Sequence, residues 1–345
     1  MLSNLLILLI SCFFLLCLHL NFLRISKLIN IYDNPHKIKR KHHKTLVPLL
    51  GGVIILLNLF TTSLILLLDK IFNFHIVAEN YFQQNNFSIF FSIYFFGFLV
   101  FLIGLWDDKH NLSGNLRLFL MTILLVIFLI LYEDFRIHII FFSNNLFFNL
   151  QYLSFFFTIF CLLVFLNSLN MLDGINNLLS TYLIIIFIIF VFKGIYPLFC
   201  LLILLSLLFF SYLNFKTKCF MGSNGSYFLG FCVAIILISQ HNQREIFALE
   251  VINILFLPII DLFRIFFART LNSKLFYEPD LNHIHHLLKK KFNEINAVLL
   301  LSLQIVVSYT VGHFFSHLIG IFVSLIMYVC LLYLSKVNKK KNEKL

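Results

Sequence analysis

The sequence predicts an all-α integral membrane protein of eleven membrane-spanning helices, on three observations: its composition, the continuity of its apolar runs and the placement of its basic residues. Of 345 residues, 61% are hydrophobic, 12% are charged and 46 are Phe. A soluble domain must wet its exterior and cannot hide that much apolar surface. A helix needs about 20 apolar residues to cross the hydrocarbon core, and only helices and closed barrels satisfy the backbone there. The apolar runs are continuous rather than alternating, which favours helices over a barrel.

Taken in order, the expected spans are 2–23, 47–68, 88–106, 116–132, 151–169, 178–193, 196–213, 226–240, 246–268, 296–312 and 317–334. The first lacks a basic lead and a small-residue cleavage site, so it reads as a retained helix rather than a signal peptide. The ninth contains Pro258, which predicts a helix broken near that residue. Orientation follows from charge, because Lys/Arg-rich loops stay cytoplasmic. The segments after the odd-numbered spans, counted with the adjoining span ends that carry Arg117 and Arg264, hold 22 of the 26 Lys and Arg; the other side keeps Lys70, Arg136, Lys193 and Arg244. The N-terminus is therefore expected outside and the C-terminus inside. The whole chain, 1–345, reads as one membrane domain. Its cytoplasmic loops are expected at 24–46, 107–115, 170–177, 214–225 and 269–295, with a basic tail at 335–345. The net charge of +11 is the positive-inside signature and points to no nucleic acid. The seven Cys lack metal spacing and most sit in apolar runs, as small buried hydrophobes do.

The chemistry-bearing residues concentrate in the cytoplasmic loops. After the first span come Arg40, Lys41 and His43, then Pro48, Gly51 and Gly52 at the mouth of the second. Anionic lipid would explain the lysines. It does not explain paired glycines at a helix start, where close backbone approach is the usual reason. The third span ends in Gly104 followed by Asp107-Asp108. Adjacent carboxylates suit a hard cation such as Mg²⁺, which takes oxygen ligands and keeps waters or phosphates; a solvated helix end is the plain alternative. Asn167, Asn170 and Asp173 share one helical face at the end of an apolar span, where amides need partners or a cavity. Gly222-Ser223-Asn224-Gly225-Ser226 opens a helix whose N–H groups suit an anion, or is an ordinary helix start. Asp261, Arg264, Arg269, Asp280, His283, His285 and His286 follow. With no soft ligand and no zinc spacing, that histidine cluster reads as an anion site. Together these loops describe a site for a divalent cation and a polyanion at the bilayer surface.

These residues resemble the motifs of the polyprenyl-phosphate N-acetylhexosamine-1-phosphate transferase family. Arg40, Lys41, His43, Pro48, Gly51 and Gly52 fall in register with its R-K-x-H-x-x-P-T-P-x-x-G-G, while Leu46 and Val47 depart. Gly104 and Asp107-Asp108 are similar to its D-D motif. Asn170, Asp173 and Gly174 resemble N-x-x-D-G-x-D-G, with Asn176 and Asn177 in place of the second D-G. Met221, Gly222, Gly225 and Ser226 resemble M-G-D-x-G-S, with Ser223 where the family has an aspartate. Pro258, Asp261, Arg269, Asp280, His283, His285 and His286 resemble the P-x-x-D … R … D-x-x-H-x-H-H loop; this form is similar to the WecA/WbpL branch. The motifs run in order over 33–288.

The resemblance implies a bacterial inner-membrane enzyme with a cytoplasmic active site. It implies transfer of N-acetylhexosamine 1-phosphate from a UDP-N-acetyl sugar to a polyprenyl phosphate, with UMP leaving, to start a cell-surface polysaccharide. It implies Mg²⁺, or Mn²⁺ in its place, and admits a homodimer. Catalytic roles would fall to Asp107, Asp108 and Asp173. Substrate contacts would fall to Lys41, His43, Asn170, Asn176, Gly222, Asn224, Arg269, His283, His285 and His286. The metal would be held by Asp107, Asp108, Asp173 and Ser223. The departures at Ser223 and Asn176 leave an inactive lipid-binding or scaffold relative as the rival. A transporter would place ionisable residues at mid-membrane and show repeated halves, and neither pattern is read here.

Overall fold

A computed structural model describes residues 2–33, 46–72, 87–271 and 282–336. The described residues form an all-α, multi-pass membrane protein. In chain order the helices are α1 (Leu2–Leu20), α2 (Phe22–Ile29), α3 (Gly51–Phe72), α4 (Phe87–His110), α5 (Gly114–Leu131), α6 (Ser154–Leu172), α7 (Leu178–Phe192), α8 (Pro197–Phe215), α9 (Gly222–Asn242), α10 (Ala248–Leu271), α11 (Ile284–Lys291), α12 (Glu294–Phe314) and α13 (His317–Lys336). Two short antiparallel pairs interrupt them: β1 (Tyr32–Asp33) with β2 (Val47–Pro48), and β3 (Ile139–Phe141) with β4 (Phe147–Asn149). Each of the eleven expected spans overlays one long helix. Among the described residues seven helices are long and apolar enough to cross a membrane, or eight if α1 and α2, bent by 70°, count as one span. The apolar parts of α3 and α7 are shorter. Leu23 and Leu28 of α2 face outward.

Two compact units emerge: Met1–Leu112 with Leu183–Leu229, and Ser113–Tyr182 with Gly230–Leu345. In the first, α1, α3 and α8 pack together around Asn58, which is fully buried. Its amide donates to Ser11 Oγ at 2.8 Å and Ser206 Oγ at 2.8 Å. An amide surrounded by apolar helices finds no water, so it fixes the register of its neighbours by bonding to them. Tyr94 and Phe90 extend this packing edge-on against Phe199.

In the second unit, α10 packs on α6, α12 and α13. The expected break near Pro258 is corrected: α10 runs unbroken through it. Proline lacks the N–H that would reach Ile254 four residues back. Tyr182 Oη supplies the missing donor, to Ile254 O at 3.0 Å. Asn253 Nδ2 donates to Ser308 O at 3.1 Å, binding α10 to α12. A Cβ on either Gly312 or Gly320 would run into that amide, which is why glycine stands at both. Opposite the histidine-bearing end, the β3–β4 pair is held by His241, whose Nε2 accepts from Phe141 N at 3.3 Å.

The orphaned carbonyl gives a test. Tyr182→Phe is expected to cost about 1–3 kcal/mol, because Ile254 O loses its donor in an apolar setting. In a Pro258→Ala background, where the helix regains its own N–H, the same change should cost clearly less. A double-mutant cycle of unfolding in detergent measures the difference.

Candidate active site

In the first unit three sequence motifs converge on the start of α9. Phe220 N donates to Pro48 O at 3.0 Å, and Gly51 N returns a bond to Phe220 O at 2.9 Å. A Cβ on Gly51 would lie 2.7 Å from Met221 Cα. One on Gly52 would collide with Asn224 Oδ1 and the Gly225 backbone, and one on Gly104 would lie 2.6 Å from Asn224 Cα. These glycines exist because backbones meet there.

Asp107 and Asp108 sit in the last turn of α4 rather than in a loop. Asp108 points at the opening of α9. Its Oδ1 accepts from Ser223 N at 2.8 Å; its Oδ2 accepts from Asn224 N at 3.1 Å and Asn224 Nδ2 at 2.6 Å. The first N–H groups of a helix have no partner within it and favour an anion, so Asp108 caps α9 from another helix. Burial pushes the Asp108 carboxyl up from 3.8 to about 6, against the lowering effect of those N–H bonds. Gly222 has φ +79, and a Cβ there would lie 2.6 Å from Asp108 Oδ2. Asp107 is also buried. Lys41, His43 and Asp280 lie outside the described residues.

In the second unit the asparagine–aspartate and histidine motifs come together. Asn170 lies in the last turn of α6 and Asp173 is its C-cap, partly exposed. Asn167 Nδ2 bonds back to Leu163 O at 2.8 Å within the helix. A Cβ on Gly174 would strike His285 Nε2 and stand 3.0 Å from His286 Nε2. Asn176 N donates to Glu294 Oε1 at 2.9 Å, the atom that also accepts from Lys289 Nζ at 2.9 Å. His285 is wholly buried, with neither ring nitrogen among the described hydrogen bonds. Burial, and then the neighbouring His286 and His283, hold its pKa well below 6.5, so the ring is neutral. His283 Nδ1 meets Asp261 Oδ2 at 2.7 Å, and its ring stacks on His285 at 5.5 Å. Arg269 is buried in the last turn of α10.

Glu294 and Tyr328 carried no expectation from the sequence, and Arg264 was noted there without its role as a partner of Asp261. Asp261 with Arg264, an ionisable i,i+3 pair inside an apolar span, was the available signal. Tyr328 gave none, because its partner stands 67 residues away in sequence.

As to a metal, no group of three or more His, Cys, Asp or Glu suited to an ion is gathered among the described residues. Three N–H donors already occupy Asp108, and Ser223 is neutral. These residues do not fit a closed, resident metal cage.

Residues 90–241, from α4 to α9, match the family model described as glycosyl transferase family 4. The chain is 28% identical over 124 residues to the undecaprenyl-phosphate alpha-N-acetylglucosaminyl 1-phosphate transferase of Escherichia coli (strain K12), covering 34% of each chain. It is 32% identical over 103 residues to the protein of the same name from Pasteurella multocida (strain Pm70), and 33% over 103 residues to that from Haemophilus influenzae; each match covers 28% of both chains. The matched stretch spans about a third of the length of these curated relatives.

Two outcomes follow from the packing. Gly52→Ala should destabilise the protein by about 1–3 kcal/mol, since backbone rather than a mobile side chain blocks the new methyl; thermal unfolding in detergent reads this. His285 should make stability pH-dependent. Its folded pKa lies below the unfolded 6.5, so the unfolded chain takes up a proton first. Stability from this residue is complete above pH 6.5 and falls as pH drops below it. Asp108, raised to about 6, acts in the opposite sense. The difference between the wild-type and His285→Asn pH–stability curves isolates the histidine.

Proposed function

We propose that this chain, whose residues 90–241 match the family model of glycosyl transferase family 4, transfers an N-acetylhexosamine 1-phosphate from a UDP-sugar to a membrane polyprenyl phosphate. The observation that carries this reading is the approach of Gly174 to His285 and His286, with His283 stacked on His285, which joins two distant motifs in a partly buried, phosphate-compatible cluster. The names of the relatives support undecaprenyl phosphate as the acceptor and N-acetylglucosamine as the sugar.

A lipid-phosphate oxygen attacks the β-phosphorus of the nucleotide sugar. The P–O bond to UMP breaks, UMP leaves with the electron pair, and a polyprenyl diphospho-sugar remains. One phosphoanhydride replaces another, so catalysis is chiefly positioning and charge neutralisation. In this reading Arg269, His283, His286, Lys41 and His43 bind substrate phosphates. Asp107 accepts the proton of the lipid phosphate. Asn170, Asp173 and Asn176 orient the nucleotide, while Asp108, Gly222 and Asn224 form a rigid turn within the first unit. The divalent cation enters as the Mg²⁺ or Mn²⁺ complex of the nucleotide diphosphate, whose charge it neutralises. The charge asymmetry supports a bacterial inner-membrane location with the chemistry on the cytoplasmic face and the N-terminus outside. A homodimer and the start of a surface polysaccharide belong to the same proposal.

Ser223 and the engagement of Asp108 by three N–H groups favour one rival, a lipid-binding relative that has lost catalysis. Incubating purified protein with polyprenyl phosphate, Mg²⁺ and a panel of UDP-N-acetylhexosamines decides between them. UMP release with at least one sugar, abolished by a chelator, is expected; no release with any would overturn the transferase reading. Ser223→Asp adds a carboxylate where the family motif has one. It should raise the rate at limiting Mg²⁺, and an unchanged Mg²⁺ dependence would show that this position is not used.

A further inference from the structure

Asp261 gathers more donors than any other carboxylate among the described hydrogen bonds, and it is only 3% exposed. Its Oδ1 accepts from Tyr328 Oη at 2.7 Å and Arg264 Nη2 at 2.8 Å. Its Oδ2 accepts from His283 Nδ1 at 2.7 Å, and Ile284 N approaches Oδ1 at 3.2 Å. The proton positions follow from chemistry. Arg264 can only donate, and its Nε reaches Tyr328 Oη at 2.7 Å. That phenolic oxygen is therefore an acceptor towards Arg264, and its own proton is directed at Asp261. The ionised carboxylate can only accept, so His283 carries its proton on Nδ1. In the neutral ring the lone pair then sits on Nε2. Arg264 Nη2 also donates to Asn282 O at 2.6 Å, and Ile284 N is the first N–H of α11, so the backbone on both sides of His283 is fixed as well. Stacking on His285 sets the ring plane.

We propose that Tyr328, on the last described helix, is a positioning residue: acting through Asp261, it holds His283 in the Nδ1–H tautomer and in one orientation, with Nε2 offered to a substrate phosphate oxygen. The role of the phosphate rests on the transferase reading above; the control of the tautomer does not. Tyr328 lies outside every motif and outside the matched stretch 90–241, and it is 2% exposed. A buried phenol needs a partner, and a core Phe would fill the same space without one. The hydroxyl also completes the shell of a carboxylate shared by Arg264 and His283, so neither of those alone fixes its direction.

The test uses the full-length protein with ¹⁵N-labelled histidine and two near-isosteric variants, Tyr328→Phe and Asp261→Asn. In the wild type the His283 ¹⁵N shifts should report the Nδ1–H tautomer. Asp261→Asn can present an amide donor to Nδ1, so the population should move to Nε2–H. Tyr328→Phe should give a mixture of the two. In UMP release by the folded protein, Tyr328→Phe should lower kcat about tenfold, with KM for the UDP-sugar changed less than twofold. A lower midpoint with wild-type shifts and kcat in the remaining folded protein would mean a merely structural role and would overturn the proposal. Wild-type ¹⁵N shifts in both variants would overturn it too. If the wild type releases no UMP, the transferase reading fails, and the ¹⁵N shifts still decide the positioning role.

Discussion

Polar groups inside an apolar helix bundle must find their partners within the protein, because neither lipid nor packed side chains will hydrogen-bond them. Most of what distinguishes this chain from a generic bundle follows from that constraint. Asn58 joins three helices because its amide has no other recourse. Ile254 O, deprived of a donor by Pro258, takes one from Tyr182, and α10 stays continuous where its sequence suggests a break. Asp108 and Asp261 are the charged versions of the same problem. The first is satisfied by the N–H groups that open α9, the second by a tyrosine, an arginine, a histidine and a backbone amide.

Close backbone approach is the second theme, and it explains the glycines that sequence reading marks without explaining. Gly51, Gly52 and Gly104 meet the turn 221–225, and Gly174 meets two histidine rings. A methyl group at any of them would push apart elements that carry candidate functional side chains. The glycines thus shape the site without touching a ligand. Ser223 belongs to this rigid region, and its backbone N–H, rather than its side chain, holds Asp108.

Much of the candidate site was legible. Asp107-Asp108, the Asn170–Gly174 stretch, the Gly-Ser turn and the histidine cluster are local patterns whose residue types betray them in an apolar setting. The contribution of Glu294 to the 174–177 loop and that of Tyr328 to Asp261 were not legible. Each acts across a long sequence separation on a partner whose own pattern says nothing about it. The break expected at Pro258 went wrong for a related reason. Loss of an N–H is visible in sequence, but the hydroxyl that replaces it comes from another helix.

Although the short α2 and α11 lie in segments it assigned to loops, the sequence by itself determined the membrane class and the approximate position of the eleven long helices. These depend on composition and short-range periodicity, which lipid reads directly. Only the tertiary structure decided which motifs interlock, that α10 continues through its proline, and that Asp108 faces a helix terminus while Asp261 faces a histidine. Those outcomes depend on hydrogen bonds and contacts between residues far apart in the chain, and a bond exists only once both ends have been brought within about 3 Å.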